Sequence, residues 1–381
     1  MIKKRTICVL SSSRADYNHL YLLMKSLKES QIFDFKLLVT GMHLLKKYGD
    51  TYSELVKDGF KIDGFIKNSS LNNNHNQILN LMSDQLSNAG KQLDKINPDI
   101  LVILGDRYDV LPIAIASHIK GIAIAHFHGG EVTHGAIDDA IRHAITKFSD
   151  IHFVSNKEFK KRVQQLGENT KNVHNIGSLG VQAIKLTPII SKQEIQEHFD
   201  IHGDYILIAI HPETINADNI RMIKSLFDVL SKDISHQIIF TSPNSDPGNE
   251  IIIKNIKSFL KDHPKKAKFI VSAGRELFIN LMRHCNFIIG NSSSCVIEAP
   301  ALGIKSILIG DRQSGRPISS SVSQSSFSRK SISSQIKITE NLRKTSAKKI
   351  HYKGSNTIPK ILKILETVPL KEIKLKKFKD I

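Results

Sequence analysis

Short runs of β-branched and aliphatic residues alternate with longer amphipathic segments along almost the whole chain, and this alternation restricts the possible folds more than any other feature. Candidate strands in the first half are Thr6–Ser11, Phe35–Thr40, Asp99–Leu104, Ile122–Phe127 and Ile151–Val154. Helical patterns lie between them, clearest at Leu20–Leu27, Gln77–Ile96, Ala136–Thr146 and Lys157–Leu166. Such spacing predicts βαβ units and a parallel sheet. Ile176-Gly-Ser-Leu-Gly180 interrupts the pattern, and the Pro188 to Ile201 region reads as a passage between domains. A second series follows at Tyr205–Ile210, Gln237–Thr241, Lys268–Val271, Phe287–Ile289 and Ser306–Ile309. At 381 residues the chain exceeds one typical core. The expected architecture is therefore α/β, with two Rossmann-like doubly wound domains and a ligand cleft between them. Residues 1–180 would form the first domain and 181–355 the second, with 356–381 a closing helix, Thr357–Thr367, and a basic tail. The Ser-rich piece Ser319–Ser333 is too polar for a core element and is expected to be a surface loop.

Bulk properties narrow the function. The apolar run after Lys3, Lys4 and Arg5 is too short for a signal-peptide core, and no run approaches the roughly 20 residues of a membrane span. Cys8, Cys285 and Cys295 show neither a close pair nor a metal spacing, which suits a reducing cytoplasm. The formal charge of +18 admits nucleic acid, acidic lipid or a small polyanion as partner. Its excess is mostly scattered Lys, concentrated only at Lys371, Lys374, Lys376, Lys377 and Lys379, which reads as a solvated tail before a binding patch. With no Trp and 6% aromatics, a base-stacking surface is poorly supported.

Candidate chemistry concentrates in His126-Phe-His-Gly-Gly-Glu131-Val-Thr-His134-Gly-Ala-Ile-Asp138-Asp139-Ala-Ile-Arg142-His143. The stretch reads as strand, Gly-permitted turn, polar loop and helix. Ligands of open α/β sheets bind beyond the carboxyl ends of the strands, so the loop would present its acids and imidazoles to a ligand. An ordinary polar loop is the plain alternative. Leu104-Gly-Asp106-Arg107 ends another strand, where Asp106 would join Glu131 and Asp138. Carboxylates gathered in this way raise one another's pKa, which separates acid from base. Asp106 and Arg107 can instead form a local ion pair. The four histidines lack a zincin-type pair and nearby cysteines, so a metal is not expected.

In the second half, Phe287-Ile-Ile-Gly-Asn291-Ser-Ser-Ser294 runs from strand into a helix start at Cys295–Leu302. Free N–H groups at a helix mouth suit phosphate, although serines there also serve as plain caps. Arg14, Arg312, Arg316 and His211, each near a predicted strand end, add basic company, and Glu298 is suited to a ribose diol. Neither a Walker A pattern nor Gly-x-Gly-x-x-Gly is present, which disfavours an ATPase or a nicotinamide enzyme. A nucleoside diphosphate fits the whole set.

Over nearly its whole length the chain resembles the hydrolysing UDP-N-acetylglucosamine 2-epimerases of bacterial sialic acid synthesis. The matching stretches are Ser13-Arg-Ala-Asp-Tyr17, Val39-Thr-Gly-Met-His43, Leu104-Gly-Asp-Arg107, Gly129-Gly-Glu131, Asp138 to His143, His211-Pro-Glu-Thr214, Gly290-Asn-Ser-Ser293 and Gly310-Asp-Arg-Gln313. The resemblance implies the GT-B-like two-domain fold, a UDP-sugar substrate, no metal or other cofactor, and a cytoplasmic homodimer with neither nucleic-acid binding nor membrane insertion. It implies that Arg14, Arg107, His211, Asn244, Ser292, Ser293, Glu298 and Arg312 hold UDP. Asp106 and Asp138 match acids assigned to catalysis, and Glu131 and His211 complete the catalytic candidates together with His128. A further family glutamate falls at His128 here, so its acid–base role does not transfer simply. Some bacterial members are similar to this chain in carrying the imidazole. The same resemblance fits a reaction on UDP-N,N′-diacetylbacillosamine, and a UDP-sugar glycosyltransferase of the same fold, which would also bind UDP through the second half, is the other alternative.

Overall fold

The computed structural model describes residues 4–45, 51–67, 75–134, 137–213, 219–244, 246, 248–341, 351–354 and 356–380. Thr214, quoted above in a matching stretch, lies outside them, as do Gly135 and Ala136 of the stretch His126–His143. The chain divides into two compact units. Residues 1–131, 138–183 and 352–381 make the first, and 132–137 with 184–351 make the second.

The first unit is built on seven strands: β1 (Arg5–Ser11), β2 (Phe33–Val39), β3 (Gly64–Phe65), β4 (Ile100–Leu104), β5 (Ala123–Phe127), β6 (Ile151–Val154) and β7 (Val173–Asn175). Their order is β3-β2-β1-β4-β5-β6-β7, and every pairing is parallel. Order reverses between β1 and β4, the switch point at which open α/β sheets open a crevice. Strands β4 and β5 are buried along their whole length, as a sheet covered on both faces requires. The second unit repeats the plan with β8 (Tyr205–Ala209), β9 (Gln237–Thr241), β10 (Ala267–Ile270), β11 (Phe287–Gly290), β12 (Lys305–Ile309) and β13 (Val322–Ser325), in the order β10-β9-β8-β11-β12-β13. Again all pairs are parallel. Both halves of the α/β expectation are thus met. The Pro188 to Ile201 region is more ordered than a passage, for it contains the helix Lys192–Phe199 with a Ser191/Glu194 capping box.

The Ser-rich stretch corrects the sequence reading. Val322–Ser325 is an edge strand in register with Ser306–Ile309 of β12, and the helix Arg329–Asn341 begins within the same stretch. An edge strand pairs on one side only, so alternating serines are tolerated there. Ser328 caps the helix by accepting from the Ser331 N–H at 3.2 Å.

The C-terminal segment belongs to the first unit. The helix Thr357–Thr367 buries Ile358, Ile361 and Leu365 in that unit's core, and Arg5 Nη1 donates to Leu365 O at 2.6 Å. Beyond it Lys371, Lys374, Lys377 and Lys379 are exposed, but Lys376 is not simply part of a solvated tail. Its Nζ lies 2.8 Å from Glu168 Oε2, while Lys147 Nζ lies 2.6 Å from Oε1 and His152 Nε2 lies 3.0 Å from Oε2. Lys147 also stands 5.1 Å over the Phe378 ring, and the Lys379 N–H donates to Gly167 O at 2.9 Å. Among the described residues no helix is long and apolar enough to cross a membrane.

Burial alone would push the Glu168 carboxyl up, but its bonds to His152, Lys147 and Lys376 overcome this and hold it at about 2. A carboxyl whose folded pKa is depressed stabilises the fold above its unfolded value and loses that contribution as pH falls through the folded value. Glu168→Gln should therefore lower the unfolding free energy by about 1–3 kcal/mol at pH 7. In urea titrations across pH, the gap to wild type should close between about pH 4.5 and pH 2. A gap that persisted at pH 2 would contradict the assignment.

Candidate active site

In the first unit the site begins where β4 ends. Gly105 has φ +88°, a left-handed conformation that suits glycine, and it turns the chain into Asp106. The turn is pinned on both sides, since Gly105 N donates to Phe127 O at 3.1 Å and Gly105 O lies 2.8 Å from His126 Nε2. Burial drives the His126 pKa down to about 3, so the ring is neutral, and because a carbonyl only accepts, the ring proton sits on Nε2.

The acids anticipated from sequence meet at a cation rather than at one another. Arg142, fully buried on the helix Asp138–Phe148, pairs through Nη2 with Asp106 Oδ2. Its Nη1 donates to Asp139 Oδ1 at 3.1 Å and to the Glu131 carbonyl at 2.9 Å. Burial pulls the Arg142 pKa down, but Asp106, Glu131 and Asp138 together hold it above its usual value. The Arg107 Nε lies 3.1 Å from Asp109 Oδ1, with its guanidinium over the Tyr108 ring. Asp138 opens the helix, where a carboxylate meets the positive end of the dipole.

His128 and Glu131 form a second pair. His128 has φ +66°, its N–H donates to Phe153 O at 3.1 Å, and its Nδ1 lies 3.0 Å from Glu131 Oε1. The Glu131 side chain is wholly buried, whereas 13% of the His128 side chain remains exposed. Ser155 Oγ donates to the same Oε1 at 3.3 Å. Arg14 is the first residue of the helix Arg14–Glu29, behind the Ser13 cap, and burial lowers its pKa. In the same first turn the buried Asp16 carboxyl is raised to about 6 by burial, against the pull of Ser12 and Arg107.

The second unit holds a mostly neutral framework at the ends of β8 and β11. Gly290 is required there by close approach, for an added Cβ would meet the Ala209 backbone. The following residue, Asn291, is fully buried and clamps His211 by its backbone, accepting from His211 N at 2.8 Å and donating to His211 O at 2.9 Å. The Asn244 N–H donates to His211 Nδ1 at 3.0 Å. A backbone N–H can only donate, so the neutral His211 ring carries its proton on Nε2 and offers a donor there. Arg312 is tied to Asp246 at 2.9 Å and to Pro212 O at 3.3 Å, and Asn244 Nδ2 donates to Asp246 Oδ2 at 2.6 Å. Glu213 Oε1 accepts from the N–H groups of Asp311 and Arg312, which fixes the turn that carries the arginine.

The expected helix mouth differs in form. Ser292 caps a three-residue 3-10 turn, Ser293–Cys295, and Glu298 opens the four-residue helix Glu298–Ala301 rather than lying one turn inside a longer one. Gly, Pro and β-branched residues close together in this stretch keep the helix short. Ser292 Oγ accepts from Ser294 N at 3.3 Å. Arg14, Asp106, Arg107, His128, Glu131 and Asp138 thus belong to the first unit, and His211, Asn244, Ser292, Ser293, Glu298 and Arg312 to the second. Sequence reasoning gave no role to Arg142, Asn291 or Asp246. Arg142 was recoverable from its spacing, since Asp139 lies three residues before it on one helix face.

A family model described as UDP-N-acetylglucosamine 2-epimerase matches residues 25–366. The GDP/UDP-N,N′-diacetylbacillosamine 2-epimerase (hydrolyzing) of Campylobacter jejuni is 36% identical over 318 residues, 83% of each chain. The polysialic acid biosynthesis protein P7 of Escherichia coli is 36% identical over 322 residues, 84% of this chain and 82% of its own. Among solved structures, the Neisseria meningitidis UDP-GlcNAc 2-epimerase bound to UDP-GlcNAc superposes with a TM-score of 0.78 at 17% identity, over 94% of this chain and 99% of that one.

Removing one partner of a buried ion pair strands the other, at about 3–5 kcal/mol. Arg142→Leu should cost that much in urea unfolding and Arg142→Lys less, because lysine keeps the charge but loses the planar fork. Wild-type stability in Arg142→Leu would contradict a central role for the guanidinium.

Proposed function

Starting from a chain that belongs to the UDP-N-acetylglucosamine 2-epimerase family, we propose that it is a hydrolysing 2-epimerase converting UDP-N-acetylglucosamine and water to N-acetylmannosamine and UDP. The observation that carries this reading is the pairing of Asp106 with Arg142 beside the His128–Glu131 pair at the strand ends of the first unit. It gathers proton-transfer groups around a fixed cation, as chemistry at a sugar carbon needs. The donor framework around His211 in the second unit supports recognition of a diphosphate.

The sugar's C2 proton is not acidic, so direct inversion is costly. In the proposed reaction a base takes that proton while the C1–O bond to UDP breaks. The C–H electron pair becomes the C1=C2 bond of 2-acetamidoglucal, and the C–O pair leaves on UDP. Water then adds its hydroxyl at C1, and an acid delivers a proton to C2 from the opposite face. Asp106, His128 and Asp138 are the candidate proton carriers, with Glu131 behind His128 and gains of about 10²–10⁴ per group. Arg14, Arg107, His211, Asn244, Ser292, Ser293 and Arg312 would hold UDP, and Glu298 the ribose. His211 donating from Nε2 would stabilise charge on the departing diphosphate. The product would serve sialic acid and surface-polysaccharide synthesis, and the expected form is a cytoplasmic homodimer.

A second substrate is favoured by a specific observation: the Campylobacter relative at 36% identity is named for GDP/UDP-N,N′-diacetylbacillosamine. Incubation of one preparation with each UDP-sugar, followed by chromatography, separates the readings. Free N-acetylmannosamine and UDP in equal amounts are the expected result. Faster turnover of the bacillosamine nucleotide would move the assignment to that sugar. Formation of a UDP-linked epimer without free sugar would overturn the hydrolysing reaction.

A further inference from the structure

We infer that Glu131 is a positioning residue that fixes the His128 imidazole with its proton on Nδ1, leaving Nε2 as the atom that takes a proton from the sugar. The inference rests on the UDP-sugar reading above and deepens it to the level of one atom. Three features of the first unit carry it.

The first is the contact itself. Glu131 Oε1 lies 3.0 Å from His128 Nδ1 and also accepts from Ser155 Oγ at 3.3 Å. We assign Oε1 as the acceptor in both contacts, which places the shared proton on the ring. A neutral imidazole with its proton on Nδ1 has its lone pair on Nε2. The second feature is countercharge. Glu131 is wholly buried, and a buried carboxylate needs a cation close by. Arg142 is that cation: the Glu131 carboxylate is among the charges that hold the Arg142 pKa up, and Arg142 Nη1 also donates to the Glu131 backbone carbonyl at 2.9 Å. The third is rigidity. His128 sits at φ +66°, a conformation uncommon for a non-glycine residue, and its N–H is held by Phe153 O. The His19 ring packs against the His128 ring with centroids 5.0 Å apart. The backbone strain is consistent with a side chain aimed for a purpose.

The proton balance is simple. Nε2 accepts the C2 proton as the C1=C2 bond forms and UDP departs, giving an imidazolium whose Nδ1–H still faces the Glu131 carboxylate. The carboxylate stabilises that cation without taking the proton, so it acts through the histidine and does not touch the sugar. His128 and Glu131 thus work as one unit, and the imidazole can occupy a position where a carboxylate would serve elsewhere without leaving the site short of a base.

The test uses the full chain labelled with ¹⁵N-histidine, with the His128 signals identified by their loss in His128→Ala. Imidazole nitrogen shifts should report a protonated Nδ1 and an unprotonated Nε2 in the wild type. In Glu131→Gln, whose amide keeps the shape and loses the charge, kcat should fall about 100-fold. KM should stay within a factor of about three, because the substrate contacts are not altered. Glu131→Asp should recover part of the loss. A wild-type spectrum with the proton on Nε2 would overturn the assignment whether or not any variant folds, as would full kcat in a folded Glu131→Gln. Failure of the wild type to turn over a UDP-sugar would count against the proposed reaction, while the tautomer, measured without substrate, would still decide the role of Glu131.

Discussion

One buried cation organises the first unit's strand ends. Arg142 has no exposed surface, and a guanidinium in that position is tolerable only with its partners in place. Those partners come from three separate parts of the chain: Asp106 beyond β4, the Glu131 carbonyl in the loop after β5, and Asp139 one helical turn earlier. The same helix closes a ring of contacts. Thr146 Oγ1 donates to Arg142 O at 3.0 Å and lies 3.2 Å from His126 Nδ1, and His126 in turn holds Gly105, the residue before Asp106. Folding of the unit therefore fixes the acids before any ligand arrives, which is the preorganisation that catalysis by charge requires.

The second unit reaches preorganisation by other means. Its central residue, Asn291, is neutral and engages His211 through both amide atoms, so the backbone at the end of β8 is fixed without a buried net charge. The Arg312–Asp246 pair brings both signs of charge together there, and Asn244 shares its carboxylate. A neutral imidazole presenting N–H and a paired arginine make a gentler electrostatic environment than the Arg142 centre. Such a setting suits holding a dianionic group reversibly, whereas the first unit's setting suits moving protons.

Much of the architecture was legible because it follows from periodicity. The ten main strands were found within about two residues, since most are buried runs rich in β-branched residues. The edge strands β3, β7 and β13 were not: β3 and β7 have only two and three residues, and β13 is polar. Val322–Ser325 is the clearest case, because its serines satisfy an edge position that hydropathy cannot recognise. The acids were legible as strand-end residues, but their arrangement was not. Sequence suggested carboxylates crowding one another, and the structure interposes Arg142. Partnerships across dozens of residues, such as Asp106 with Arg142 or His211 with Asn291, leave no local trace. The basic tail was legible as charge, yet the single lysine that reaches Glu168 looks the same in sequence as its exposed neighbours.

The proposed reaction turns on proton exchange at one sugar carbon. The most direct measurement is a proton NMR time course with UDP-N-acetylglucosamine in deuterated water. The proposed elimination and hydration would place one solvent deuterium at C2 of released N-acetylmannosamine, with UDP appearing at the same rate. Released sugar that retained its original C2 hydrogen would contradict the mechanism and the proton-transfer roles assigned to the first unit.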